Sequence, residues 1–402
     1  MISILIRMVK VAFLHPDLGI GGAERLVIDM ALALLRKKHE VTIYTTHHNP
    51  THCFSETTDG TVQVVPKFDW LPRKILGKFY ALCAVMRMIF LAIFVRLCVS
   101  ADVYIVDQVS MCVPFLKVFS SKKVLFYCHY PDMLLTQRNS FFKLLYRKPL
   151  DYLEGLTTSM ADKILVNSLY TKRVVSETFS HVGRCEVLYP SLNTSKFENG
   201  YEIVCTDVMP SSSEFVFLSL NRYERKKNIT LALEAMSYVK KHCSQFEKCH
   251  MIVAGGYDSR VTENVEHHLE LEQFSQELEI HDNTTFLRSI SDTTKLYLLR
   301  NCTALLYTPS NEHFGIVPVE SMYCCMPVIA VNSGGPLETV EDSVTGFLCD
   351  PRPDKFGEAM MKFIEQVELK ERMGKAGKCR VQDLFSFEAF TEKLHVAVME
   401  LS

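Results

Sequence analysis

The chain has no C-x-x-C pair, no zinc-ligand spacing and no regular cysteine framework, although it contains 14 cysteines. Scattered thiols of this kind read as free thiols in a reducing compartment and argue against a disulfide scaffold or a zinc module. There is no basic tail and no low-complexity run, and the formal net charge is -2. Nothing in that balance points to nucleic acid as a partner. A short-period repeat is also missing, which argues against a solenoid. No Asp-x-Asp pair occurs, so no metal is expected. The apolar part of MISILIRMVKVAFLH is too short for a signal peptide. Val9–Leu14 reads better as a first strand. Four sequons, at Asn193, Asn228, Asn283 and Asn301, partly fall inside expected core elements and read as chance matches.

What is present is a sequence of 402 residues with 48% hydrophobic and 22% charged residues, enough for two or three globular domains. Short apolar runs alternate with helical patterns throughout, the signature of βαβ units and parallel sheets. The first series of expected strands is Val9–Leu14, Val41–Thr45, Val62–Val65, Val103–Val106, Val124–Cys128 and Lys163–Val166. The second is Phe215–Leu220, His250–Ala254, Thr284–Leu287, Thr303–Tyr307 and Pro327–Val331. A polar, proline-bearing stretch from Pro190 to Ser213 separates them and is placed as the linker. The fold class is therefore α/β, with domains at 1–200 and 201–384. A final helix at 385–402 is expected to return to the first domain. Two such units would leave a cleft at the carboxyl ends of their sheets.

The stretch EHFGIVPVE, Glu312 to Glu320, carries the clearest chemistry. A buried strand precedes it, and Pro309, Ser310 and Asn311 break that strand. Ile316–Cys325 reads as a helix, with Pro318 tolerated in its first turn. The loop thus feeds a helix N-terminus, whose free N–H groups suit a phosphate, and Gly315 permits close approach. Glu312 lies before the helix and Glu320 roughly one turn in, ~6 Å along the axis. Either acid can accept hydrogen bonds from sugar hydroxyls; a solvated helix face is the plainer alternative for Glu320. A second Gly-Gly turn follows in CCMPVIAVNSGGPLE.

Other segments bring complementary groups. LHPDLGIGGAER places Gly19, Gly21 and Gly22 between a strand and an amphipathic helix, a turn suited to a diphosphate or a sugar ring. NRYERKKN supplies Arg222 and Lys227 for a leaving diphosphate, and Asn228 to cap the next helix. In FYCHYPDMLLTQR, His129 stands at a strand end, placed to hydrogen-bond a sugar hydroxyl or move a proton. Asp132 and Arg138 are further candidates to touch an acceptor. Ile75–Val99 is strongly apolar but carries Lys78, Arg87 and Arg96. Spanning takes ~20 apolar residues, and a central Arg costs roughly 2.5 kcal/mol or more. An in-plane membrane helix, a buried domain helix and a true span all remain open readings. Phe141–Lys148 has similar basic-aromatic character and suits the same surface.

Together the Glu312-x7-Glu320 pair, Arg222 and Lys227, the GIGGAER turn and NSGGPLE resemble the GT-B retaining glycosyltransferases of family 4, over nearly the whole chain. The strings HPDLGIGGAER, CHYPD, NRYERKKN, TPSNEHFGIVP and AVNSGGPLE look like the alpha-1,3/1,6-mannosyltransferases of dolichol-linked oligosaccharide assembly. The resemblance implies two Rossmann-like domains facing across a cleft. It implies mannose transfer from GDP-mannose, without other cofactor, to a lipid-linked oligosaccharide on the cytosolic face of the endoplasmic reticulum membrane. Other enzymes of the same pathway are then possible partners. Carried over, Glu312 meets the donor sugar and Glu320 the nucleotide ribose. Arg222 and Lys227 hold the diphosphate, with backbone groups of Phe314, Gly315, Ile316 and Val317. Gly21 and Gly22 let a loop approach the reacting sugar, and His129 lies near the reacting centre. Arg288 departs from the small residue usual beside the base pocket. A glycoside hydrolase also uses two carboxylates, at ~5–5.5 Å when retaining, but needs neither the basic pair nor the glycine turns. A transferase using another nucleotide sugar and a non-catalytic scaffold on the same fold are the other rivals.

Overall fold

The computed structural model describes residues 7–75, 79–118, 120–136, 141–194, 197, 208–210 and 213–402. Arg138, residues 76–78 of the apolar stretch, and 195–196, 198–207 and 211–212 of the expected linker lie outside them. The chain divides into two compact units. Unit 1 is Met1–Ser191 with Phe387–Ser402, and unit 2 is Leu192–Ser386. The division falls earlier than 200/201 because Leu192 already bridges to Ser386, its N–H donating to the Phe385 carbonyl at 3.0 Å.

Among the described residues, unit 1 holds seven parallel strands: β1 (Lys10–His15), β2 (Glu40–Thr45), β3 (Gln63–Pro66), β4 (Val103–Asp107), β5 (Lys123–Cys128), β6 (Lys163–Val166) and β7 (Cys185–Val187). Their order is β3-β2-β1-β4-β5-β6-β7. Val11 pairs with Val41 on one side and Val103 on the other. Both faces are covered, so the central strands are apolar throughout rather than alternating. Val11, Phe13, Val103 and Ile105 pack under Leu26, Val27, Met30 and Leu34 of the helix Gly22–Arg36. Ala12, Leu14, Tyr104 and Val106 pack under Met88, Leu91, Ala92 and Val95 of the helix Tyr80–Cys98.

The last helix, Phe387–Met399, closes the first of these layers with Phe390, Leu394, Ala397 and Val398. Arg36–Glu388, at 2.8 Å, and Lys37–Glu392 trim its edge. Such surface pairs contribute little, and the buried apolar side chains supply the attachment.

The apolar stretch is thus a domain helix on one face. Arg87 is buried, its Nη2 donating to the Thr46 carbonyl at 2.5 Å and lying 3.5 Å from Asp69 Oδ1, a carboxylate that offsets part of the cost of burying the charge. The opposite face is open, with Tyr80, Met86, Phe90, Ile93 and Leu97 exposed. The helix is also long and apolar enough to cross a membrane by length and composition. Its start meets the helix Phe141–Ser159, which exposes Phe141, Leu144 and Leu145. There the Tyr146 hydroxyl accepts the Leu82 N–H at 3.0 Å, and the Phe79 and Tyr146 rings meet edge-on.

Among its described residues unit 2 holds six parallel strands: β8 (Phe215–Leu220), β9 (Cys249–Gly255), β10 (Thr284–Arg288), β11 (Ala304–Tyr307), β12 (Val328–Val331) and β13 (Gly346–Cys349). Their order is β10-β9-β8-β11-β12-β13. In each sheet the direction of strand addition reverses once, between β1 and β4 and between β8 and β11. Open α/β sheets bind ligands at the carboxyl ends beside such a switch point.

Candidate active site

In unit 2 the loop after β11 runs from Thr308 to Gly315 and enters the helix Ile316–Tyr323. Gly315 has φ +81, a left-handed conformation that disfavours any side chain, and an added Cβ would meet the Tyr307 ring at 3.4 Å. The N–H groups of Ile316 and Val317 open the helix, and Pro318 has none to leave unpaired. Phe314 is buried against Phe385, ring centroids 5.6 Å apart. Only its backbone can therefore serve a ligand. Ile316 is exposed beside it.

The second glycine turn clamps this loop. Gly335 N–H donates to the Glu312 carbonyl at 2.7 Å, and the Asn311 N–H donates to Ser333 Oγ at 3.1 Å. Gly334 sits at φ +66, and a Cβ there would lie 2.5 Å from the Glu312 carbonyl oxygen. Glycine at 334 and 335 is what lets two backbones touch, and that contact sets where Glu312 points.

The two glutamates have different cationic partners. Lys227 Nζ donates to Glu312 Oε1 at 2.5 Å, with the lysine side chain 13% exposed and the glutamate 27%. Glu320 instead meets Lys295, from the helix Asp292–Asn301, at 2.7 Å. Sequence reasoning did not single out Lys295; its pairing comes from the packing of two helices, which no local pattern reports. Thr308 Oγ1 donates to the Lys227 carbonyl at 2.8 Å, tying the Arg225–Lys227 turn to the end of β11. Arg222 is largely exposed and pairs with Glu224 at 2.9 Å.

Asn228 stands at the N-cap of the helix Ile229–His242 but makes no side-chain capping bond. It is in the left-handed region at φ +49, where the turn uses its conformational tolerance. Its Oδ1 accepts from Thr230 Oγ1 at 3.1 Å. Arg288, at the end of β10, stacks over the Tyr257 ring at 5.1 Å.

In unit 1, Gly21 is the extended N-cap of the helix Gly22–Arg36, with φ -173. A Cβ at Gly22 would meet nothing within 4 Å, and one at Gly21 would meet only the end of the Glu24 side chain. Arg25 is held by Asp29 and Glu56. His129 follows β5 and is a quarter exposed; its Nε2 lies 2.8 Å from Asp107 Oδ1. It lines a cavity of about 580 Å³ within unit 1, with Gln108, Asp132, Arg147 and Glu154 as polar neighbours and Ala84 and Leu150 among the apolar ones. Asp132 pairs with the buried Arg147 at 2.6 Å. Glu154 accepts the N–H groups of Asp132 and Met133 at 2.7 and 3.0 Å. Burial, outweighing those bonds, raises the Glu154 carboxyl to about 7. His15 and Asp107 also belong to this cluster and were not anticipated. The available signal was that adjacent apolar runs, VAFLH and VYIVD, each end in an ionisable residue.

Comparison with known proteins identifies the family. The model of Glycosyltransferase Family 4 matches residues 20–196, and that of Glycosyl transferases group 1 matches residues 209–380. The alpha-1,3/1,6-mannosyltransferase ALG2 of Homo sapiens is 52% identical over 401 residues, covering 98% of this chain and 96% of that protein. The chain belongs to the ALG2 alpha-1,3/1,6-mannosyltransferase family. Family members from Rhizomucor pusillus and Dictyostelium discoideum are 45% and 42% identical, each over 98% of this chain and over 92% and 98% of their own lengths. As the family and both matched models require, the chain is a glycosyltransferase, with a nucleotide-sugar donor and a glycan acceptor. Sucrose-phosphate synthase from Thermosynechococcus elongatus has a TM-score of 0.76 at 20% identity, covering 97% of this chain and 98% of that one. A structure of Anabaena HepE in complex with UDP-glucose has a TM-score of 0.69 at 18% identity, covering 98% of this chain and all of that one. These likenesses show the fold, GT-B with two Rossmann-like domains.

Proposed function

We propose that this mannosyltransferase takes mannose from GDP-mannose and adds it to a dolichol-diphosphate-linked oligosaccharide, forming alpha-1,3 and alpha-1,6 linkages with retention. The observation that carries the donor side is the Glu312–Lys227 pair on a glycine-clamped loop leading into a helix N-terminus. Lys227 and Arg222 take the diphosphate, together with the N–H groups of Ile316 and Val317. Glu312, released from Lys227, turns to the mannose hydroxyls, and Glu320 holds the ribose. The bond from mannose C1 to the β-phosphate oxygen breaks, and a bond from C1 to the acceptor hydroxyl forms on the same face. The hydroxyl proton passes to the departing phosphate. Neutralising that phosphate is the main catalytic task, and it needs no metal in this reading.

The acceptor belongs to unit 1, where His129 lines a cavity walled on one side by Ala81, Ala84 and Val85 of the apolar helix. Exposed Phe90, Leu97, Phe141 and Leu145 suit contact with the cytosolic face of the endoplasmic reticulum membrane, where a lipid-linked acceptor resides. The test is mannose transfer from GDP-mannose by Glu312→Ala and Lys227→Ala separately. Each is expected to lose about 100-fold or more in kcat/KM; near-normal transfer by both overturns the site. Calorimetry with GDP and UDP decides the base, since the Anabaena neighbour holds a UDP-sugar. Preference for UDP would reassign the donor.

A further inference from the structure

Three neighbouring strands of unit 1 end in ionisable side chains: His15 on β1, Asp107 on β4 and His129 just after β5. Asp107, fully buried, sits in the middle with both oxygens engaged. His15 Nδ1 lies 2.9 Å from Oδ2, and His129 Nε2 lies 2.8 Å from Oδ1. His15 is fully buried too, its Nε2 2.9 Å from the Asp17 carbonyl and 3.9 Å from Glu24 Oε1.

An ionised carboxylate only accepts hydrogen bonds, so a ring nitrogen facing it must carry the hydrogen. Burial opposes ionisation of Asp107, yet the charge and hydrogen bonds of the two rings outweigh it and hold the carboxyl at about 2. Burial likewise opposes a His15 cation. The hydrogen bond to Asp107 and the negative charges of Asp107 and Glu24 outweigh that and raise it to about 9, and both ring nitrogens face acceptors, so His15 is an imidazolium at neutral pH. One carboxylate thus has its charge matched by His15, and its other oxygen remains an acceptor for His129. In the neutral form of His129 the Asp107 carboxylate keeps the ring proton on Nε2, and Nδ1 is left as a lone pair. No hydrogen bond is made by that nitrogen among the described residues, and the ring borders the cavity. A lone pair there matches a hydroxyl, the group a carbohydrate offers most densely. Other titratable groups around the rings include Glu24 on the helix Gly22–Arg36, Tyr127 and Cys128 on β5, Asp17, Tyr130, Asp132, and Arg147 and Glu154 on the helix Phe141–Ser159.

We propose that Asp107 and His15 are positioning residues for glycosyl transfer: Asp107 fixes the His129 ring in the Nε2–H tautomer so that Nδ1 accepts a sugar hydroxyl, and His15 holds Asp107 in place as its ion-pair partner. The proposal rests on the transferase reading given above.

The test uses the full-length protein in detergent, with GDP-mannose and a lipid-linked acceptor. Asp107→Asn keeps the shape but removes the obligatory acceptor. It is expected to lower kcat by about 100-fold while KM for GDP-mannose stays within about threefold. The double variant Asp107→Asn/His129→Ala is expected to be no slower than His129→Ala alone, because Asp107 acts only through that ring. Losses that multiply instead mark Asp107 as a general packing residue and overturn the proposal. His15→Gln is expected to lose about 10-fold in kcat, and an unchanged rate removes His15 from it. Selective 15N-histidine labelling reads the tautomer directly in the unmodified protein, whether or not the variants fold. A proton on Nε2 of His129 is expected, and one on Nδ1 refutes the assignment. Absence of transfer from GDP-mannose by the unmodified protein would strike the function reading, and the tautomer measurement would still decide this proposal.

Discussion

Replacing Gly335 by alanine perturbs the donor loop without touching a charged group. A Cβ at 335 would lie 2.1 Å from the Phe314 carbonyl oxygen, 2.3 Å from its carbonyl carbon and 2.5 Å from its Cα. All three are backbone atoms, so no flexible side chain can move aside. Relief requires a shift of about 1 Å, either of the 312–315 segment or of the glycine turn. A shift of that size breaks the 2.7 Å hydrogen bond from Gly335 N–H to the Glu312 carbonyl. It also moves the carboxylate that Lys227 meets at 2.5 Å. Misplacing a positioning group by about 1 Å costs about 100-fold in rate, equivalent to about 2.7 kcal/mol of barrier. Overpacking adds a stability loss of about 1–3 kcal/mol. The assay is kcat/KM for mannose transfer at a temperature where circular dichroism shows the variant folded, with GDP affinity by calorimetry alongside. Gly183→Ala serves as the control: nothing lies within 4 Å of its Cβ and its φ is not positive, so it should stay within about 0.5 kcal/mol of the parent. A Gly335→Ala variant as active as Gly183→Ala would refute the claim that the glycine turn sets the geometry of Glu312.

Two further outcomes are expected. His15 binds its proton more tightly folded than unfolded, at about 9 against 6.5, so its contribution is complete below pH 6.5 and is lost as pH rises through about 9. Urea unfolding should show unit 1 losing about 3 kcal/mol over that window, and His15→Gln should flatten the decline; an undiminished decline in the variant would exclude His15 as its source. Phe90→Glu with Leu97→Glu places charge on side chains that are 42% and 76% exposed. Binding to phospholipid vesicles should fall at least about tenfold with the thermal midpoint unchanged, and undiminished binding would remove this helix from the membrane contact.

The eleven strands anticipated from apolar runs are all present, because central parallel strands are buried on both faces and leave continuous hydrophobic stretches. The two not anticipated are β7 and β13, the outermost strands on one side of each sheet. CEV and GFLC are short and partly polar or glycine-led, and an edge strand needs burial on fewer sides. The places of Glu312, Gly315 and Glu320 in a loop and the helix it enters were legible because a strand break, a left-handed turn and a helix start all leave marks in sequence. The partners were less so. Lys295 and Glu320 meet through the packing of two helices, and His15, Asp107 and His129 meet through the order β1-β4-β5, which places strands distant in sequence side by side. The cap expected from Asn228 fails for a related reason. Its turn places the residue in the left-handed region, whereas a capping side chain acts from an extended backbone.

The candidate donor site of unit 2 is built from charges that already have partners, and this bears on how the proposed site would select a ligand. Lys227 is mostly buried, and a lone ammonium there would be costly to desolvate. Glu312 answers that charge. In the proposed reading a diphosphate takes the lysine in place of the carboxylate, so one anionic partner replaces another and the lysine is never left unmatched. A neutral ligand gains nothing from the exchange, because it would strand both charges. The displaced carboxylate then needs donors of its own. Sugar hydroxyls attached to the same diphosphate supply them, whereas a free nucleoside diphosphate does not. The pair therefore favours a ligand that carries both groups over one that carries the phosphate alone. It also gives a reason for Glu312 and Lys227 to be held at 2.5 Å by a glycine clamp rather than by flexible side chains: the exchange works only if the freed carboxylate remains where the sugar arrives.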